Sequence, residues 1–89
     1  MVKRGRLEII RDILLILKEN SHGIKSTPLL RKTNLSTSRF SEYFQEILAK
    51  GFVIGRTEGK EKKFFITEKG MKFLEKYKTI VDFIDEFEL

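Results

Sequence analysis

Ser36, Thr37, Ser38 and Arg39 follow one another directly, and Glu42 and Gln45 come one and two helical turns later. Hydroxyls, a guanidinium and the free N–H groups of a helix start all suit phosphate oxygens. Gln45 has the atoms to bond adenine in a bidentate way, and Glu42 those to accept from a cytosine amino group. A second set, Arg56, Lys60, Lys62 and Lys63, surrounds the turn-competent Glu58-Gly59-Lys60, and a cation beside a phosphate backbone needs little geometric precision to help. Lys25, Arg31 and Lys32 are a third set placed for backbone contact, and Lys3, Arg4 and Arg6 are placed for a basic arm. Each set also has a purely structural reading. Ser36 can serve as a helix cap, Glu42 and Glu46 can pair with Arg39 and Lys50 at helical spacing, and any cation can be ordinary exposed charge. Phe64 and Phe65 have the rings to stack on bases, but strand alternation sends at least one inward, so core packing is the expectation for them.

Other chemistries find few residues. With no cysteine and a single histidine, His22, there is neither thiolate chemistry nor the ligand set of an ordinary structural zinc site. No nucleophile stands with a recognisable base, there is no glycine-rich phosphate loop, and the carboxylates are scattered among lysines on helical faces. His22 beside Gly23 reads as a helix-end feature. The expectation is a protein that is not an enzyme and needs no cofactor or metal.

Eighty-nine residues make one small domain, and a chain of this size buries only about 60% of its unfolded surface on folding. Hydrophobic residues are 40% of it and charged residues 35%, a globular composition and not that of a disordered tail. No apolar run reaches a membrane span and the N-terminus lacks a signal-peptide layout, so a cytoplasmic location without membrane association is expected. The net charge of +5 conceals an asymmetry. All the lysines and arginines precede residue 81, while Asp82, Asp85, Glu86 and Glu88 make the tail acidic. A basic body attracts polyanions such as nucleic acid, though charge alone serves solubility equally well.

The elements that must position these residues follow from periodicity. Leu7 to Asn20 predicts a helix whose apolar residues cover about half its circumference, ended by Ser21, His22 and a left-handed Gly23. Thr27 as N-cap and Pro28 as first helical residue predict a short second helix to about Lys32. Thr33, Asn34 and Leu35 read as a turn, and Ser36 as the cap of a third helix from Thr37 to Lys50, closed by Gly51. Phe52 to Ile54 and Lys63 to Ile66 read as strands of a charged hairpin. Thr67 then caps a last helix from about Glu68 to Phe87.

Helix, short helix, tight turn, longer helix and charged hairpin is the layout of a winged helix-turn-helix, mainly α with one small β-hairpin and here a long C-terminal helix. The expected division is residues 1–67 for that unit and 68–89 for a last helix continuous with it. Particular stretches also resemble the small archaeal winged-helix regulators and chromatin-associated DNA-binding proteins. They are Leu7-Glu8-Ile9-Ile10, Thr33-Asn34-Leu35-Ser36, Tyr43-Phe44-Gln45-Glu46-Ile47-Leu48, Gly51-Phe52-Val53 and Ile66-Thr67-Glu68-Lys69-Gly70. The resemblance implies a nucleoid-associated homodimer joined through its last helices as an antiparallel coiled coil. Independently, Phe73, Tyr77, Ile80, Ile84 and Phe87 step by coiled-coil spacing, and with Val81 they are the expected dimer interface; the alternative is that the stripe folds back along the first helix. The expectation is a double-stranded DNA binder acting in transcription regulation, with its third helix in the major groove, its wing on the backbone or minor groove, and no small-molecule effector. The competing reading is a winged helix used as a protein-interaction module. Clustering of Arg39, Arg56, Lys60 and Lys62 on one face would favour DNA, and an even scatter the interaction module.

Overall fold

The computed structural model describes residues 5–89. Helices α1 (Arg6–Glu19), α2 (Ser26–Thr33) and α3 (Thr37–Ala49) precede strands β1 (Val53–Glu58) and β2 (Glu61–Ile66), and α4 (Glu68–Glu86) follows. Helix α1 is the hub, packing against α2, α3, α4 and β2. Ile9, Ile10, Ile13, Leu14 and Leu17 recur at three- and four-residue steps, so they share one broad face, and all are buried. Leu29, Phe40, Phe44, Ile47, Val53 and Phe64 close the core around them.

Two helix ends differ from the sequence expectation. Helix α1 is ended by Asn20, whose side-chain amide donates to the Ile16 carbonyl at 2.7 Å and whose N–H reaches the Ile16 and Leu17 carbonyls. Gly23, at φ +97°, closes the following turn and not the helix itself. Helix α2 begins two residues before Pro28, with Lys25 and not Thr27 at the N-cap. The reason is tertiary: Ile24 bridges Phe64 through reciprocal backbone hydrogen bonds of 3.1 and 2.9 Å, which hold the chain extended up to Lys25. Pro28 is still tolerated as the third helical residue, because that N–H has no partner within the helix.

Helix α3 follows the expectation closely. Asn34 reverses the chain in the left-handed region, and the Ser36 hydroxyl accepts from the Arg39 N–H at 3.3 Å. The hairpin pairs Val53 with Ile66 through Glu58 with Glu61, leaving a two-residue loop in which Gly59 supplies the positive φ that such turns require. Phe64 points inward and meets the Phe44 ring edge-on at 4.8 Å, as alternation led us to expect for one of the pair.

Helix α4 is fastened at its start and free at its end. The Thr67 hydroxyl donates to the Gly51 carbonyl at 2.6 Å and accepts from the Gly70 N–H at 3.1 Å, joining the end of α3 to the start of α4. Phe73 packs against Phe52 at 5.2 Å, half-buried within the domain, and Leu74 reaches the core. Beyond Tyr77 the helix outruns the core. The chain measures 50 × 28 × 21 Å with a radius of gyration of 13.9 Å, against about 12 Å for a compact domain of this length. Thr67→Ala should cost about 1–2 kcal/mol in urea unfolding, whereas Thr67→Ser, which keeps both hydrogen bonds, should recover most of it.

Candidate nucleic-acid interface

The outer surface of α3 carries Ser38, Ser41, Glu42 and Gln45, all exposed. At 100° per residue they fall on the side opposite Phe40, Phe44 and Ile47, so burial of the aromatic face turns the polar one outward. Thr37, Ser41 and Gln45 also line a shallow cleft of about 470 Å³ between α2 and α3, floored by Phe40, Phe44 and Phe64. Ser41 was not among the expected contacts. Its signal was its spacing, one turn after Thr37 and one before Gln45.

Arg39 stands apart from this face, on the flank of α3, with its guanidinium 5.9 Å from the Tyr43 ring centroid. Glu46 pairs with neither Arg39 nor Lys50 but with Arg6, which belongs to the first turn of α1 and not to a basic arm. Lys3 and Arg4 lie outside the described residues.

The hairpin divides the cations that are grouped in sequence. Because strand neighbours alternate, Thr57 and Lys62 share the face of Phe64, and the Lys62 ammonium lies 5.6 Å above that ring. Arg56 and Lys63 stand directly opposite each other on the other face, where the Arg56 guanidinium covers Phe65 at 5.4 Å. Like charges in that relation repel. Lys60 is at the tip. Arg39, Arg56, Lys60 and Lys62 therefore do not share a single face, so the clustering that would favour DNA over a protein-interaction module is not met by these four residues.

Of the third set, Lys25 is engaged: its ammonium lies 2.9 Å from the Glu61 carboxylate and ties the start of α2 to the wing. The hydrogen bond and charge of Lys25, with a smaller contribution from Lys63, hold the Glu61 carboxyl below the usual carboxylate range. Arg31 and Lys32 are exposed in the last turn of α2, where they also complement the helix dipole. His22 is exposed in the turn after α1. Among the described residues no group of three or more His, Cys, Asp or Glu side chains is placed to hold a metal ion, and no helix is long and apolar enough to cross a membrane.

A brace helix, a third helix with its polar face outward, and a cationic hairpin closing on the core beside it together define a winged helix-turn-helix. The chain belongs to that family, whose profile, described as winged helix-turn-helix, matches residues 3–85. It is similar to SSV1 F-93, with 30% identity over 89% of this chain and 91% of that one, at a TM-score of 0.68. It is also similar to Sso10a-2, a DNA-binding protein from Sulfolobus solfataricus, with 22% identity over 96% of this chain and 86% of the other, at a TM-score of 0.73. AF1382 from Archaeoglobus fulgidus shares the fold at 23% identity, over 94% and 91% of the two chains, with a TM-score of 0.65. No curated protein matches the chain.

Proposed function

We propose that this protein binds double-stranded DNA as a homodimer and acts as a transcriptional regulator, with α3 in the major groove and the wing directed at the flanking backbone or minor groove. The observation that carries the reading is the shared cleft. Ser41 and Gln45 of α3 line a cleft floored in part by Phe64, and the Lys62 ammonium lies against that same ring, so groups suited to base edges and a cation suited to phosphate are built around one side chain. The family fold and its likeness to a DNA-binding protein from Sulfolobus solfataricus support it.

Cations on both faces of the wing suit a hairpin that inserts tip-first between two phosphate strands. Lys62 would then address one strand and the Arg56–Lys63 pair the other, and phosphate would relieve the repulsion between those two side chains. The exposed apolar end of α4, with Ile80 56%, Phe83 53% and Phe87 58% accessible, supports self-association, since small monomeric domains rarely leave such a patch open.

The test is fluorescence anisotropy with a labelled random duplex between about 50 and 200 mM salt. Log affinity should fall linearly with log salt at about 0.9 per phosphate contact. Absence of binding at the low-salt end would reject the DNA reading in favour of a protein-interaction module, with distal α4 as the docking element.

A further inference from the structure

The segment before α2 extends the wing by one strand position. The reciprocal hydrogen bonds between Ile24 and Phe64 set the chain antiparallel beside β2, and Lys25 is itself extended, at φ −74° and ψ 157°. In that register Gly23 stands opposite Phe65 and Lys25 opposite Lys63. A Cβ on Gly23 would lie 2.7 Å from Phe65 Cζ and 3.1 Å from Lys63 Cβ, which places Gly23 on the face of those two residues. Lys63 is in turn paired with Arg56. Lys25, Lys63 and Arg56 therefore form a row of cations across the face of the wing that points away from Phe64.

One acid answers this row. Glu61 lies two residues before Lys63, hence on the same face, and its carboxylate meets the Lys25 ammonium at 2.9 Å. Lys25 foremost, and Lys63 after it, favour its charged form. Glu58, directly across the hairpin from Glu61, makes no ion pair among the described residues. Both side chains of the Lys25–Glu61 pair are 52% exposed, so a phosphate oxygen can reach the ammonium that the carboxylate holds. Carboxylate and phosphate oxygens accept from an ammonium in the same way, and the two compete for it.

We infer that Glu61 is an internal competitor of DNA phosphate: it holds Lys25 back in the free protein, and the cation row of the wing is completed only when phosphate displaces its carboxylate. The inference rests on the DNA-binding reading and adds an attenuating residue to it. While no DNA is present, Glu61 offsets the mutual repulsion of Lys25 and Lys63. Binding must break that contact, so affinity is lower than the number of cations on this face implies.

A double-mutant cycle on the full chain tests it, read by anisotropy of the labelled random duplex at about 50 mM salt. Glu61→Gln should bind about three- to fivefold more tightly for each engaged wing, the scale of an exposed ion pair. In a Lys25→Gln background the same substitution should gain no more than Glu58→Gln, which removes an equal charge at the opposed position without touching Lys25. Thermal melts establish that every variant is folded. If Glu61→Gln gains as much without Lys25 as with it, the acid only repels DNA, and the inference falls while the DNA reading stands. If Glu61→Gln weakens binding, the pair positions the wing instead of withholding a cation, and the inference falls in the same way. If the wild type does not bind the duplex at this salt, both fall.

Discussion

Replacing Arg56, Lys60, Lys62 and Lys63 together by glutamine is expected to lower affinity for a random duplex on the order of 10³-fold at about 0.1 M salt. The log–log salt slope should lose about 3.6 in magnitude for each protomer whose wing is engaged, at 0.9 for each of four phosphate contacts, and about twice that when both wings of a dimer are engaged. The two faces of the wing separate the possible modes of contact. Lys62→Gln alone and Arg56→Gln/Lys63→Gln together remove charge from opposite sides of the hairpin. Tip-first insertion between two strands predicts that both variants reduce the slope, by about 0.9 and 1.8 respectively for each engaged wing. If the Arg56/Lys63 variant leaves the slope unchanged, the wing lies flat with only its Phe64 face on the backbone. Because Arg56 covers Phe65, its thermal midpoint is measured in parallel, so that lost packing is not read as lost contact.

Gly70→Ala is expected to destabilise the protein, although sequence reasoning gives the opposite sign. Gly70 is the third residue of a helix, where alanine is ordinarily better by about 1 kcal/mol. Here a Cβ would overlap the Phe52 carbonyl oxygen and lie 2.7 Å from Ile66 Cγ1. The carbonyl cannot move aside freely, because it accepts the Thr67 N–H at 3.0 Å and forms part of the junction between α3, the wing and α4. Overpacking against fixed backbone should cost on the order of 3 kcal/mol, enough to lower the melting temperature by roughly 10–20 °C in a domain of this size. Gly70→Val, with two more carbons at the same point, should leave little folded protein at room temperature. An alanine variant as stable as the wild type would mean that α4 does not approach Phe52 this closely. The same junction makes α4 and the wing one mechanical unit, so a change in how α4 is held would be felt at the hairpin.

Most of the architecture was legible in the chain because it is encoded locally. The α1 stripe from Ile9 to Leu17, the cap at Ser36, the turn at Gly59 and the cap at Thr67 each announce themselves within a few residues, and each stands where periodicity and capping chemistry place it. The start of α2 did not, because Thr27-Pro28 is a good helix opening that the bridge between Ile24 and Phe64 pre-empts. That bridge joins residues forty positions apart.

The candidate site divides in the same way. The sequence by itself determined which residues could touch DNA, since residue type and helical spacing set the polar face of α3 and the charge of the wing. Only the tertiary structure decided which of them act together. It gave Lys25 to Glu61 and Glu46 to Arg6, and set Arg56 directly opposite Lys63 across the hairpin. It also joined Leu15 and Lys18 to the stripe of α4. Spacing along a chain fixes which side of its own element a residue occupies, but the neighbour on that side depends on how elements pack, and packing is settled by contacts between residues far apart in sequence.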